Sequence, residues 1–435
     1  MKENKTKPDI RFKGFTEAWE QRKLGEVVEF YNGDRSSRYP TDSDIVPDGI
    51  PFINAGDLVS GRVKLDTANK ITKEKYNELS GAKIQRGDII YCLRGTLGKN
   101  AFIDNFDSGT VASSLVDIRP KKIVGKYLFQ VLNSDIEYRQ RTINDEGAAQ
   151  PNLSAKNLSL FDIPMSNKDE QTKIAEYFSN LDNLITLHQR ECDQLKELKK
   201  SMLKKMFPRD ESSIPEVRFA GFTDAWEQRK FVRVFDGLQN NTLSRADLNY
   251  EGGTVKNVHY GDVLIKFGDY IDASKTELPY ISDSTKADKF KSSFLQDGDI
   301  IIADTAEDDT VGKCTEIQGS EGLKLLSGLH TVACRPKEKY GQMFLGYYIN
   351  SPAYHNQLKP LMQGIKVTSI SKSALQDTDM IMPKSIDEQI RIGEYFSTLD
   401  NLITLHQRNY NSLNRCKFSK ITKNLLISHM VFIRK

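Results

Sequence analysis

Two pairs of segments recur along the chain, and this duplication restricts the fold more than any other feature of the sequence. Residues 8–23 and residues 215–230 are identical at 12 of 16 positions. Residues 169–190 and residues 387–408 are identical at 18 of 22 positions. Because the copies occur in the same order, the sequence predicts two modules of one fold.

Between these segments the two halves share only landmarks, whose spacing increases along the chain. Gly-Asp-Ile-Ile at 87–90 recurs 211 residues later, and Arg-Pro-Lys at 119–121 recurs 216 residues later. Insertions are therefore expected mainly in the early part of each half. A shared framework with different loops favours two modules that do one kind of work on two different targets. The alternative is a plain gene duplication followed by drift.

Each half combines strand patterns with a helical pattern, which is typical of a mixed domain. Short runs of β-branched and aromatic residues, bounded by Gly, Asp and Pro, predict strands. Apolar residues spaced three and four apart then predict a helix. The expected strands are 50–54, 88–93, 110–111 and 116–118 in the first half, and 255–259, 299–302 and 330–334 in the second. The expected helices are 126–142 and 342–362.

Each half ends in a longer helical pattern that one compact domain could not contain. Residues 169–207 would span about 58 Å as a single α-helix, at ~1.5 Å per residue. Steps of four and three mark a coiled-coil seam, which must be buried to hide its apolar stripe. An antiparallel pair with the domains at opposite ends is favoured, and a parallel pair is the alternative. The seam positions are Ile174, Phe178, Leu181, Ile185, His188, Cys192, Leu195, Lys199, Met202 and Met206 in the first copy, and Ile392, Phe396, Leu399, Ile403, His406, Tyr410 and Leu413 in the second.

The predicted fold class is therefore α+β, with a pseudo-two-fold internal repeat. Two similar mixed α/β domains are joined by two long helices that form an antiparallel coiled coil. The predicted boundaries are 8–165 for the first domain, 166–208 for the first helical spacer, 215–384 for the second domain and 385–427 for the second spacer.

Composition and missing motifs narrow the class of protein. No run approaches the roughly 18 apolar residues of a membrane span, and no signal-peptide core follows Met1, so we expect no membrane partner and a cytoplasmic location. Five cysteines without a CxxC pair predict neither disulfides nor a zinc site. The sequence contains no HExxH, GxSxG or dinucleotide fingerprint, so no catalytic, cofactor or metal site is expected. A net charge of +3 permits a polyanion as a partner.

Several motifs together resemble the specificity subunit of type I restriction-modification systems. They are the repeated opening RFxGFT(E/D)AWEQRK, the helical segment DEQxxIxEYFSxLDNLITLHQR, the GDII strand and Gln-Pro-Asn-Leu-Ser at 150–154. The resemblance extends from Pro8 to about Arg415. After Arg415 the sequence CKFSKITKNLLISHMVFIRK matches neither the first copy nor the family pattern, which puts the far end of the second helix in question.

The resemblance implies a non-catalytic subunit that reads an asymmetric, bipartite site in double-stranded DNA, with one half-site per domain. It also implies that the subunit docks two methylation subunits, joined in the full complex by two restriction and translocation subunits. S-adenosylmethionine, ATP and Mg²⁺ would then act on those other subunits, and this chain would hold no cofactor. Two alternatives remain: a coiled-coil scaffold whose domains bind proteins, and a self-contained DNA-modifying enzyme with an unfamiliar site.

Loop residues with base-reading side chains are the candidate DNA contacts. In the major groove, Arg and Lys pair with guanine and Asn and Gln pair with adenine. Each candidate has a plain alternative as a solvated or turn-forming residue. The predicted DNA-binding residues are Arg35, Arg38, Arg94, Lys99, Gln150, Asn152 and Ser154 in the first domain, and Asn240, Asn241, Arg245, His259, Lys366, Thr368, Ser369 and Ser371 in the second. Trp19 and Trp226 are expected to be packing anchors, because their flanks are identical in the two halves.

Overall fold

A computed structural model describes residues 8, 10–145, 151–209, 212–364 and 366–425, with side chains as far as residue 417. The chain divides into two compact units. The first unit comprises residues 1–189 and 408–435, and the second comprises residues 190–407. No helix in these described ranges is long and apolar enough to cross a bilayer.

The first domain contains two four-stranded sheets and two small ones. The central antiparallel sheet has the strand order Val28–Asn32, Leu115–Pro120, Ile89–Cys92 and Asn100–Phe102. The second sheet has the order Thr110–Val111, Ile50–Ile53, Asn69–Ile71 and Ile45–Val46. The two small sheets pair Glu20–Lys23 with Asp162–Met165 and Leu58–Val59 with Arg62–Val63. The α-helices are Leu24–Val27, Lys73–Glu78, Gly125–Leu132, Asp135–Ile143, Ala155–Ser159 and the long Lys168–Lys205, and the 3-10 helices are Asp42–Asp44 and Ala55–Asp57.

The second domain repeats this plan with one more strand in its central sheet. That sheet has the order Phe235–Gly237, Thr331–Pro336, Ile300–Ala303, Cys314–Gln318 and Tyr270–Asp272. A four-stranded sheet has the order Leu248–Asn249, Tyr280–Ile281, Lys256–Val258 and Leu325–Ser327. The small sheets pair Glu227–Lys230 with Asp379–Met382 and Thr305–Ala306 with Thr368–Ser369. The α-helices are Phe231–Val234, Tyr260–Ile265, Ser284–Ala287, Phe344–Asn350, Pro352–His355, Lys372–Gln376 and the long Ile386–Leu425, and the 3-10 helices are Arg245–Asp247, Asp288–Ser293 and Lys359–Leu361.

The two central sheets confirm the internal repeat at the level of topology. In each domain the GDII landmark forms a fully buried strand, Ile89–Cys92 or Ile300–Ala303. Its antiparallel neighbour is the strand that ends in Arg-Pro, Leu115–Pro120 or Thr331–Pro336. A continuous apolar run suits a strand that is covered on both faces. The predicted mixed α and β class is therefore confirmed.

The prediction of one helix after the central sheet was wrong in both domains, because the helix is broken at an Asn-Ser pair. Ser134 begins a new helix by accepting a hydrogen bond from the N–H of Ile136 (3.3 Å). Ser351 precedes Pro352, and the residue before a proline is disfavoured in the α conformation. Both serines donate to the carbonyl three residues earlier, at 2.6 Å. A serine N-cap in the first domain and a Ser-Pro step in the second therefore override the helical periodicity.

In the first unit, the repeated opening binds the start of the long helix. Arg11 donates two hydrogen bonds to the buried carboxylate of Glu170, at 2.6 and 2.8 Å. The indole N–H of Trp19 donates a third, at 3.0 Å. The next helical residue, Gln171, accepts from the N–H of Val124 at 2.9 Å. Charge-assisted bonds to a fixed carboxylate hold the domain on its helix, and the buried Trp19 confirms its role as a packing anchor.

The second unit contains the same arrangement at the equivalent residues. Arg218 donates to Glu388 at 2.6 and 2.8 Å, and the buried Trp226 donates to the same carboxylate at 3.3 Å. Gln389 accepts from the N–H of Gly341 at 2.8 Å. We call each set of three side chains an Arg–Trp–Glu cluster. The opening and the helical segment, which are nearly identical in the two halves, together form this contact.

Within the second unit the two long helices run antiparallel, as predicted. Every predicted seam position of both helices is buried or half-buried. Residues that come later in the first helical segment contact residues that come earlier in the second. The contacts are Cys192 with Gln407 (3.4 Å from Sγ to Oε1), Lys199 with Asp400 (2.7 Å) and Phe207 with Phe396 (5.9 Å between ring centroids).

The second helix continues past the point where its sequence departs from the family pattern. It remains helical to Leu425, the last residue that the structure describes. Within the first unit, Lys417 hydrogen-bonds the carboxylate of Asp182, which also accepts from the side chain of Gln130 at 3.2 Å. Lys417 lies 218 residues after Lys199, at the spacing of the two helical copies. The altered tail therefore keeps one charged helix contact that the sequence comparison did not reveal.

Candidate nucleic-acid interface

In the first domain, three loops meet at one end of the central sheet. The N–H of Leu93, after the buried strand, donates to the carbonyl of Ser114, in the loop before Leu115–Pro120 (2.9 Å). The carbonyl of Leu93 accepts from the N–H of Leu153, in the loop before helix Ala155–Ser159 (2.9 Å). One residue thus joins loops that are distant in sequence, which fixes the place of the side chains they carry.

The second domain joins its loops through the same two main-chain bonds. The N–H of Asp304 donates to the carbonyl of His330 (3.2 Å), and the carbonyl of Asp304 accepts from the N–H of Ile370 (2.9 Å). These three residues are equivalent in position to Leu93, Ser114 and Leu153. Because main-chain bonds do not depend on residue type, the loop scaffold is common to both domains while the side chains on it differ.

The scaffold of the first domain gathers three of the predicted DNA-binding residues. Arg94 donates from Nε to the side-chain oxygen of Asn152 (3.1 Å), and Arg35 donates to the carbonyl of Ser113 (3.2 Å). Both arginines are exposed. The Arg94 guanidinium therefore lies beside the Asn152 amide and that of Arg35 beside the Ser113 carbonyl, both at a solvent-facing edge. We define the first loop cluster as Arg35, Arg94, Ser113, Ser114 and Asn152.

Three other candidates of the first domain are not placed in this cluster. Arg38 donates to the carbonyl of Glu78 (3.1 Å). Lys99 is half-buried and donates from its amine to the carbonyl of Ala55 (2.9 Å). Gln150 lies outside the described residues.

Ser154 and Ser371 occupy equivalent positions and do the same structural work. The hydroxyl of Ser154 accepts the N–H of Asn157, and that of Ser371 accepts the N–H of Ala374, both at 3.1 Å. Each serine is thus the N-cap of the short helix that follows. A residue with one role in both domains belongs to the framework, whereas a base reader should differ between them.

In the second domain, the scaffold gathers a different set of side chains. Asn240 donates to the carbonyl of Gly328 (3.3 Å), and Ser369 is the strand partner of Thr305. Thr305 donates from its hydroxyl to Asp304 (2.8 Å), whose carboxylate lies 3.7 Å from Nδ1 of His330. We define the second loop cluster as Asn240, Asp304, Thr305, His330 and Ser369.

Two candidates of the second domain are buried. Asn241 has no exposed surface and donates to the side chain of Asn257 (2.6 Å). His259 is 8% exposed, and its Nδ1 accepts the N–H of Gly261 (3.1 Å). Burial, reinforced by the charge of Arg245, lowers the pKa of His259 and keeps the ring neutral near neutral pH. Both side chains support loops, and their contact with DNA stays a prediction.

The remaining candidates are more accessible. Arg245 donates two hydrogen bonds to Asp262, each of 2.8 Å, and half of its side chain stays exposed. Lys366 is exposed, and Thr368 lies in the short strand that pairs with Ala306. An arginine already engaged by a carboxylate must share or exchange that partner to contact DNA.

His330 is one of the cluster members that the sequence did not suggest, with Ser113, Ser114, Asp304 and Thr305. Its loop contains no basic or amide residue besides the histidine, and its contact with Asp304 spans 26 residues of sequence. Only the short Ser-Gly-Leu-His stretch between two apolar strands could have drawn attention to it.

The family model described as the type I restriction modification DNA specificity domain matches this chain twice, at residues 16–197 and residues 226–415. The two matches cover most of the sequence and fall on the two copies of the repeat.

The chain is also similar to curated proteins along nearly its whole length. It is 21% identical to the type I restriction enzyme MjaVIII specificity subunit of Methanocaldococcus jannaschii, over 96% of this chain and 94% of that protein. The putative type I restriction enzyme MjaX specificity subunit of the same organism is also 21% identical, over 96% and 95%. The HindI specificity subunit of Haemophilus influenzae is 24% identical over 43% of this chain and 40% of that protein.

Solved structures show the same fold. The crystal structure of a type I restriction-modification S subunit from M. genitalium has a TM-score of 0.60 at 14% identity, covering 97% of this chain and 99% of that one. A chain from a study of complex assembly and conformational transition of the type I R-M system has a TM-score of 0.50 at 18% identity, covering 94% and 97%.

Proposed function

Because the chain belongs to the type I restriction modification DNA specificity family, we propose that it is the non-catalytic subunit that reads an asymmetric, bipartite site in double-stranded DNA. The duplicated loop scaffold carries this proposal. Two domains share the main-chain bonds that position their loops and differ in the side chains presented there. Two domains of the same fold that present different side chains are suited to recognise two different half-sites.

The side chains of the two loop clusters can hydrogen-bond different bases. Arg35 and Arg94 give the first domain two exposed guanidinium groups, which pair well with guanine O6 and N7. The second cluster contains no arginine or lysine and instead presents Asn240, Thr305 and Ser369, which suit adenine or several bases. We therefore propose that guanine is more important in the half-site of the first domain.

The other predicted DNA contacts remain proposals without a place in either cluster. They are Arg38, Lys99, Gln150, Ser154, Asn241, Arg245, His259, Lys366, Thr368 and Ser371. Exposed cations that do not meet a base would bind phosphate, which positions a protein on the duplex without reading sequence.

We also propose the domain boundaries that the sequence predicts: 8–165 and 215–384 for the two domains, and 166–208 and 385–427 for the helical spacers. The last strand of each domain, Asp162–Met165 or Asp379–Met382, ends shortly before its long helix begins at Lys168 or Ile386. A cut between strand and helix would separate each domain from its spacer.

A repeated apolar surface supports the assembly of two copies of one partner. Leu184 and Leu187 are exposed on the first helix, and the equivalent Leu402 and Leu405 are exposed on the second. Single exposed leucines are common, but the same exposed pair in both copies is not needed for packing within either unit. We propose that each pair docks one methylation subunit.

Two restriction and translocation subunits would complete the assembly. In this proposal S-adenosylmethionine, ATP and Mg²⁺ are used by the partner subunits, and the complex acts in the cytoplasm, where it meets DNA.

The deciding experiment maps methylated bases in cells that express this chain with its methylation subunit. We expect a split, asymmetric motif. Exchanging residues 24–165 for those of another family member should change one half of the motif, and exchanging residues 231–384 should change the other. A contiguous motif, or a split motif that neither exchange alters, would contradict the proposal.

The two alternative functions give different results with purified protein. A self-contained enzyme would cleave or methylate DNA without partners when given Mg²⁺ and S-adenosylmethionine. A pure protein scaffold would show no salt-dependent binding to a duplex that contains the mapped motif, whereas phosphate contacts make DNA binding strongly salt-dependent.

A further inference from the structure

The backbone of His330 is held in a conformation that a side chain disfavours. Its φ is 56°, and among the described residues only Ser60 and Met343 are other non-glycine residues with positive φ. Ser60 lies in the tight turn between two short strands, and Met343 donates its N–H to the buried Glu316 (2.6 Å). Glycine would adopt the conformation of residue 330 without strain, so the imidazole is present despite a cost to stability.

Two neighbours set the orientation of this imidazole. The ring lies edge-on to Tyr260, with 5.3 Å between centroids and an interplanar angle of 73°. Its Nδ1 is 3.7 Å from the carboxylate of Asp304, which Thr305 holds with a 2.8 Å hydrogen bond. The side chain is still 47% exposed. Nε2, on the opposite edge of the ring, has no hydrogen-bond partner among the described residues.

The position of His330 in the scaffold is one where the two domains differ. Its carbonyl accepts the N–H of Asp304, as the carbonyl of Ser114 accepts the N–H of Leu93 in the first domain. The main chain therefore places a serine in one domain and an oriented imidazole in the other at the same point. An imidazole nitrogen donates to a purine N7 or guanine O6 when protonated and accepts from a base amino group when it is not.

We propose that His330 is a specificity-determining residue of the second domain that contacts a base edge through Nε2. The assignment rests on the proposed DNA-reading function. It adds to that function one residue, outside the predicted contacts, that reads one position of one half-site.

The test compares His330→Gly with Ser60→Gly, each expressed as the full chain with its methylation subunit. Both changes relieve a positive φ, but only the first removes the imidazole from the loop cluster. Methylated sites are mapped in cells, and binding to a duplex with the wild-type motif is measured on the purified complex. With His330→Gly we expect one position in the half-site of the second domain to become degenerate, and affinity to fall about tenfold, as for the loss of one base contact.

A third variant, His330→Asn, keeps a polar side chain that tolerates the left-handed conformation. It should shift the preference at that same position toward adenine, which pairs with an amide. An unchanged motif with His330→Gly would overturn the assignment, as would the same change of motif with Ser60→Gly. If the wild-type chain produces no split motif, the proposed function itself fails, whereas a split motif indifferent to residue 330 refutes only the role of His330.

Discussion

Replacing Lys199 with methionine is expected to destabilise the second unit by about 3 kcal/mol. The amine of Lys199 lies 2.7 Å from Asp269 of the domain and 2.7 Å from Asp400 of the second long helix. The Lys199 side chain is only 17% exposed, and Tyr347 donates a further 2.7 Å hydrogen bond to Asp400. Methionine keeps most of the volume but removes the cation that lies between the two carboxylates.

The magnitude follows from the environment of these charges. Removing one partner of a buried ion pair costs roughly 3–5 kcal/mol, and the partial exposure of Asp400 moves the expectation to the lower end of that range. Burial alone would lower the pKa of Lys199, but Asp269 and Asp400 together raise it above its ordinary value. A raised pKa means that the stabilisation is complete below the unfolded pKa of about 10.4 and is lost as the pH rises through the folded value.

The assay is urea unfolding followed by tryptophan fluorescence. Variants of the second unit are followed through Trp226 with Trp19 replaced by phenylalanine, and variants of the first unit through Trp19 with Trp226 replaced by phenylalanine. At pH 8 the Lys199→Met protein should unfold at a lower urea concentration, and the difference from the parent should shrink above pH 11. Adding Asp269→Asn and Asp400→Asn should recover much of the loss, because the unpaired charges are then gone.

A difference below 0.5 kcal/mol at pH 8, or one that is equally large above pH 11, would refute the reasoning; surface ion pairs are worth roughly that little. Lys417→Met is a matched comparison in the first unit. Lys417 meets one carboxylate, Asp182, and that carboxylate is a third exposed, so its loss should cost less, about 1 kcal/mol.

Three further predictions concern other parts of the molecule. Arg94→Ala should weaken binding to the mapped duplex roughly tenfold and relax one position of the half-site read by the first domain. Arg94→Lys should recover only part of the affinity and of the base preference. Titration measures the affinity, and motif mapping measures the preference. Leu184→Asp with Leu187→Asp should leave a complex with one methylation subunit instead of two, as should Leu402→Asp with Leu405→Asp, and analytical ultracentrifugation would show the change in mass. Asp117 is buried beside Asp88. Burial, and after it the like charge of Asp88, raises the pKa of Asp117, although the charge of Arg119 opposes this. The carboxyl group therefore binds a proton more tightly in the folded protein. Stability should therefore fall as the pH rises from about 4 to 8, and Asp117→Asn should remove that slope in urea unfolding.

The features that the sequence predicted are those written in local patterns. The coiled-coil seam follows from apolar spacing, and the framework follows from the identity of the two copies. The exposed arginines of the first loop cluster were singled out because arginine pairs with guanine, and their contact with DNA stays a prediction. In each case a short window of sequence contained the information.

The features that the sequence missed depend on contacts between distant residues. His330 is oriented by Asp304 and Tyr260, and neither distance can be read from a linear chain. The burial of Asn241 and His259, two predicted DNA contacts, likewise depends on the fold. Lys417 lies in a stretch that matches no pattern, and only its pairing with Asp182 shows that the altered tail keeps a contact between the helices.

The Arg–Trp–Glu clusters have a consequence for transplanting domains within one molecule. Each junction between domain and helix is fastened by the same three side chains with nearly the same distances. A copy of the first domain, inserted between Trp226 and Glu388, would therefore find the side chains of its own junction already in place. Such a chimaera would contain two identical recognition domains. Its DNA site would then consist of two identical half-sites instead of two different ones.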